Sequence, residues 1–72
     1  MGSDETVLVT VNGEPREFRA GLSVTDMLAE LGLRPGMVVV EQNRRILERA
    51  SLGSTDVRTG DIFELVHFVG GG

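Results

Sequence analysis

The residues with most scope for chemistry lie at the C-terminal end, where Gly70, Gly71 and Gly72 follow a well-patterned apolar segment. Lacking Cβ atoms, three glycines can lie in a channel too narrow for any side chain and can adopt any φ. Counted from Phe68, an extended chain advances roughly 3.3–3.6 Å per residue, on the order of 15 Å in all. That reach would carry the carboxylate of Gly72 into the active site of another protein. A frayed glycine end is the plainer alternative. A terminal carboxylate has a pKa of about 3.3–3.7, so it is ionised at neutral pH and is a poor electrophile. Its use as an acyl donor therefore requires activation, for instance as a mixed anhydride with AMP. The chain has no phosphate-binding loop and no lysine, so an ATP-using partner would have to supply that activation.

The rest of the inventory points the same way. There is no cysteine, which removes disulfides, thiolate metal sites, iron–sulfur clusters and cysteine nucleophiles together. All seven basic residues are arginine, so no side-chain amine can form a Schiff base or an isopeptide bond. His67 is the one histidine. It lacks Cys, His or carboxylate partners at ligand spacing and reads as a structural residue rather than a metal ligand. Acidic residues outnumber basic ones 11 to 7, for a net charge of −4. That balance disfavours nucleic acid and anionic membranes and favours a basic protein surface as partner. Seventy-two residues bury only roughly 60% of their unfolded surface, which leaves no room for an enclosed catalytic cavity. An enzyme acting alone is not the expectation; a cytoplasmic protein co-substrate without a bound cofactor is.

The elements that would position the tail are legible in outline. Residues 1–5 carry no apolar periodicity and form a loose leader. Thr6 to Asn12 alternates as a strand, with Val7, Val9 and Val11 on one side. Asn12-Gly13 is a strong two-residue hairpin signal. Glu14 to Ala20 supplies the partner strand, with Pro15 marking a sheet edge and Phe18 pointing inward. Ser23 and Asp26 form a capping-box pair, and Val24, Met27, Leu28 and Leu31 make one apolar helical stripe. Gly32 suits the left-handed position after the helix, and Pro35 blocks its continuation. Met37 to Gln42 reads as a largely buried strand. Asn43-Arg44-Arg45 reads as a turn, Ile46-Leu47 as a short strand, and Ala50 to Thr59 as polar and aperiodic. Thr59-Gly60-Asp61 turns into a last strand, Ile62 to Phe68. One helix stripe covers one face of one sheet, an α+β two-layer domain. A right-handed crossover sets the last strand beside the first. The expected fold is the β-grasp (ubiquitin-like) arrangement, a four- to five-stranded mixed sheet on one main helix. The domain spans 6–69 and ends in a flexible tail, 70–72.

Parity along the last strand divides its side chains. Phe63, Leu65, His67 and Val69 share one face; Ile62, Glu64, Val66 and Phe68 share the other. Glu64 assigns the first set to the core and puts His67 at the rim. Val66 and Phe68 then point outward, with Leu8 and Val39 as neighbours, and form a docking patch beside the tail. Asp56, Asp61 and Glu64 would add charge complementarity toward a basic partner, the plainer alternative being a solvated acidic face. The competing assignment for Phe68 is packing on the domain's own edge.

Several segments together carry a resemblance. These are Asn12-Gly13, the helix from Ser23 to Leu33, Val38-Val-Val-Glu-Gln-Asn43, and Gly60-Asp61 with the terminal Val66-His-Phe-Val-Gly-Gly-Gly72. From Val7 onward the chain resembles the ThiS family, the sulfur carriers of thiamine biosynthesis, with the His-Phe-Val-Gly-Gly-Gly ending as its specific part. The resemblance implies a C-terminal glycine, Gly72, that is adenylated by a ThiF-type enzyme using ATP. Conversion to a thiocarboxylate would follow, with sulfur from a delivery protein of cysteine desulfurase type. The thiocarboxylate would then donate sulfur to ThiG, the thiazole synthase. Gly70 and Gly71 would be threaded into the partner, and Val66, Phe68 and Val69 would grip it. Departures from the family pattern fall in Leu47-Glu48-Arg49, Ser51-Leu52-Gly53 and Thr59, none of them in the tail. They leave open a carrier serving another acceptor, such as the small subunit of molybdopterin synthase (MoaD). A ubiquitin-like modifier conjugated through Gly72 is a further alternative.

Overall fold

The computed structural model describes residues 5–68. The readings placed on residues 1–4, Val69, Gly70, Gly71 and Gly72 lie outside them. Five strands and one main helix follow in order. They are β1 (Thr6–Val11), β2 (Glu14–Arg19), α1 (Val24–Glu30), β3 (Val38–Gln42), β4 (Arg45–Ile46) and β5 (Ile62–His67). The sheet runs β2-β1-β5-β3-β4. β1 and β5 are parallel, and the other pairs are antiparallel. This mixed sheet on one helix is the β-grasp fold, with the last strand between the first and the third. Pro15 lies on β2, an edge of the sheet, where a missing N–H costs no ladder bond.

Local chemistry explains the element boundaries. Asn12 and Gly13 have φ of 50° and 84°, the two left-handed positions of a type I′ hairpin turn. The Ser23 hydroxyl accepts from the Asp26 N–H at 3.1 Å, and an Asp26 carboxylate oxygen accepts from the Ser23 N–H at 3.0 Å. Both halves of the capping box are therefore present. At the other end Gly32 (φ 79°) donates to the Ala29 carbonyl, and Leu33 donates to that of Leu28. That bond pair is a Schellman closure. Val24, Met27 and Leu28 are completely buried against Val9, Val40, Phe63 and Leu65, in one core on a single face of the sheet.

Several boundaries differ from the sequence reading. Pro35 opens a 3₁₀ turn, Pro35–Met37, because its fixed φ suits a first helical position; Met37 thus precedes β3 instead of starting it. β3 is buried on alternate residues, at Val38 and Val40, since only one sheet face is covered. The short strand is Arg45–Ile46 rather than Ile46–Leu47, and β5 stops at His67, one residue before Phe68. The stretch read as aperiodic holds a 3₁₀ segment, Arg49–Ser54, and two core residues, Leu52 and Val57.

Candidate functional site

The approach to the tail is built by β5. Phe63 and Leu65 are buried, while Ile62, Glu64, Val66 and His67 are exposed. The expected division of faces is observed, with His67 at the rim. Val66 is 62% exposed and Phe68 52%. Phe68 continues the β3 side of the strand beyond its end, its N–H donating to the Met37 carbonyl at 3.0 Å. Its side chain borders a groove that Pro35, Val39 and Ile46 share with the core-side residues Val38, Leu47 and Leu52, so it has neighbours on its own domain's edge while keeping half its surface free. Leu8, Ile46 and Ile62 are also exposed, and Ile62 and Val66 line one shallow depression on this face with Glu41, Glu64 and Arg44. Register explains the grouping, because Val39 faces Val66 and Glu41 faces both Glu64 and Ile46.

The outer face is therefore an apolar surface with two carboxylates opposed across adjacent strands. Like charges so placed repel, an arrangement that a cationic side chain from outside would relieve. Ile62 shares the parity of Val66, the signal that marks it in the sequence. Ile46 carries no such signal, because its position depends on the β3–β4 register.

Of the three carboxylates assigned to charge complementarity, only Glu64 lies on this face. Asp61 is engaged internally. It accepts from the Gln42 side-chain amide at 3.1 Å, the Asn43 amide at 3.0 Å and the Arg58 N–H at 2.8 Å. The Asn43 Oδ1 in turn accepts from the Ile62 N–H at 2.9 Å. These bonds tie the β3–β4 turn to the start of β5. Asp56 forms an exposed pair with Arg58 at 3.3 Å, an arrangement of little energetic weight. Thr59, one of the departures from the family pattern, accepts from the Leu8 N–H through its hydroxyl at 3.2 Å.

On the opposite flank of β5, Asn12 closes the sheet. The β1–β5 register ends at Val11 facing Phe63, and the Asn12 N–H still reaches the Phe63 carbonyl at 2.9 Å. The Asn12 side chain then accepts from the Leu65 N–H at 2.7 Å and donates to the Leu65 carbonyl at 3.3 Å. No group of three or more His, Asp or Glu side chains gathers among the described residues. No helix among them is long and apolar enough to cross a membrane.

The model of the ThiS family matches residues 9–72, through the glycine run. The chain belongs to the ThiS family. The sulfur carrier protein ThiS of Bacillus subtilis (strain 168) is 30% identical over 66 residues, which cover 90% of this chain and all of that protein. A crystal structure of the thiamine biosynthesis protein ThiS from Geobacter metallireducens has the same fold, with a TM-score of 0.75 and 38% identity. The match covers 92% of this chain and 100% of that one. Two thiazole synthases are also similar. That of Magnetococcus marinus is 38% identical and that of Paramagnetospirillum magneticum 41%, each over 64 residues. The chain spans about a fifth of the length of these two proteins, 20% in each case. The segment similar to this chain is thus a minor part of each of those proteins.

Proposed function

We propose that this chain is a sulfur carrier of thiamine biosynthesis, a protein co-substrate rather than a catalyst, with the Gly72 carboxylate as its working group. The observation that carries the reading is the family match, which spans residues 9–72 and so extends from within the core strand β1 to Gly72. A ThiF-type enzyme using ATP adenylates that carboxylate and releases pyrophosphate. AMP then leaves as the terminal sulfur of a persulfide on a delivery protein of cysteine desulfurase type takes its place. A thiol cleaves the resulting acyl disulfide, releasing the thiocarboxylate as the thiol is itself oxidised to a disulfide.

The acceptor enzyme is ThiG, the thiazole synthase. The two thiazole synthases whose own chains contain a ThiS-like segment support this assignment. Gly70 and Gly71 fit the narrow channel such a handover needs, since any Cβ would widen the thread. Val66, Phe68 and Val69 grip the partner, with the opposed Glu41 and Glu64 favouring a basic surface. The carrier itself holds no cofactor and works in the cytoplasm.

Intact-mass analysis tests the scheme. The chain ending at Gly72, incubated with ATP, a ThiF-type enzyme and a sulfur donor, should gain the mass of one oxygen-to-sulfur exchange. Deleting Gly72, or adding Ala after it, should abolish that gain without unfolding the domain. Normal loading of either variant would refute the carboxylate mechanism. Amide-linked adducts of Gly72 on other proteins, in place of sulfur loading, would point to a modifier.

A further inference from the structure

Between β1 and the tail, β5 has unequal support. On the β3 side its pairing continues to Val38 facing His67, and then to the bond from the Phe68 N–H to the Met37 carbonyl. On the β1 side the strand partner is lost after Phe63, because β1 turns away at Asn12-Gly13. The next two backbone groups on that flank, the N–H and carbonyl of Leu65, are both taken by the Asn12 side-chain amide. A primary amide carries a donor and an acceptor side by side in one plane, so it can answer the N–H and carbonyl of a single residue and stand in for the missing strand partner. From a position 53 residues away in sequence, Asn12 thus adds one more rung to the ladder and is the last backbone tie on this flank among the described residues.

We infer that Asn12 is a positioning residue for the tail. By clasping Leu65 it fixes the twist and heading with which β5 leaves the sheet, and so where Gly72 arrives once the outer face has docked. This role rests on the carrier reading proposed above. It is separate from the turn-forming role of Asn12, because the turn needs only a residue tolerant of φ 50°, which glycine supplies at least as well. Without the clasp, the described backbone beyond Phe63 is tied to a neighbouring strand only on the β3 side, and the heading of β5 toward the tail is held less firmly. Docking should survive, since Val66 and Phe68 are still held by the β3 pairing and by the bond from the Phe68 N–H to the Met37 carbonyl, whereas productive arrival of Gly72 at the activating centre should become rarer.

The test is N12G, which keeps the turn and removes both side-chain bonds, beside wild type in steady-state loading by a ThiF-type enzyme with ATP and a sulfur donor. The assays are run well below the melting transition of either protein. Native-state amide exchange is followed at Leu65. We expect exchange at Leu65 to rise at least tenfold, kcat to fall about fivefold or more, and KM for the carrier to stay within twofold. Should N12G fail to fold, N12D serves instead. It keeps the acceptor for the Leu65 N–H and loses the donor to the Leu65 carbonyl, so kcat should fall two- to threefold with KM unchanged. Wild-type kcat and KM in a folded variant whose Leu65 exchange is accelerated would overturn the positioning role and leave the carrier reading intact. Failure of the wild-type chain itself to be loaded would overturn both.

Discussion

Phe63 and Phe68 lie five positions apart and have opposite fates. Phe63 is completely buried beneath α1, while Phe68 stands 52% exposed beyond the end of β5. A half-exposed aromatic that loses its remaining surface on contact is the kind of residue that anchors an interface, with truncation costing more than about 1–2 kcal/mol of binding. Phe68→Ala should therefore weaken binding to a ThiF-type enzyme by about tenfold or more in titration calorimetry, while the melting temperature moves by no more than a few degrees. A drop in melting temperature as large as that of a core truncation would show Phe68 to be packing for the domain itself. At the same scale, Asp61 shows what residue type alone conceals. Its carboxylate was assigned to a partner in the sequence reading, yet it spends its lone pairs on Gln42, Asn43 and Arg58.

Elements carry the signals that sequence transmits best. The hairpin at Asn12-Gly13, the Ser23–Asp26 box, the stripe on α1 and the Gly32 closure are local, each decided by residues within a few positions of one another. They were legible for that reason. The 3₁₀ segment Arg49–Ser54 was not, since about two turns of poor-geometry helix leave no periodicity, and Leu52 and Val57 are recognisable as core only once α1 lies over them. The Asn12 clasp and the Thr59–Leu8 bond were equally hidden, because each joins residues about fifty positions apart.

The capping box supports a prediction of its own. Hydrogen bonds from the Ser23 backbone and hydroxyl, with a smaller contribution from Arg19, hold the Asp26 pKa below its usual 3.8. A carboxylate whose pKa is depressed by folding stabilises the fold above its unfolded pKa and loses that contribution as pH falls through the folded value. The benefit is therefore complete at neutral pH and fades below about pH 3.8. Ser23→Ala should cost roughly 1 kcal/mol at pH 7 in urea unfolding and weaken this acid dependence only in part, since the backbone N–H at position 23 still donates to Asp26. An unchanged urea midpoint at pH 7 would mean that tertiary packing alone fixes where α1 begins.

The molecule as a whole rests on one core under one face of one sheet. At about 0.05–0.15 kcal/mol per residue, such a domain has roughly 4–11 kcal/mol of stability in all. Phe63→Ala, at about 3–5 kcal/mol for a buried aromatic, would consume much or all of it. Circular dichroism of that variant should show a chain largely unfolded at 37 °C, or melting far below the wild type. A shift of only a few degrees would mean that the surrounding side chains collapse into the space. Fold class and strand neighbours were readable from element order at this scale. The outer face was readable only in part, because it depends on the registers that bring Glu41, Glu64 and Ile46 together.

The spatial order of the strands also governs how the molecule comes into being. β5 is formed last along the chain but lies third in the sheet, with β2-β1 on one side of it and β3-β4 on the other. Take it away and two separate ribbons remain, each too small to persist alone. Insertion of the strand that leads to the glycines is thus the same event as completion of the domain. A nascent, truncated or misfolded copy has no finished sheet on which to display that strand, so under the carrier function proposed above folding would act as an inspection step before the terminus meets a partner.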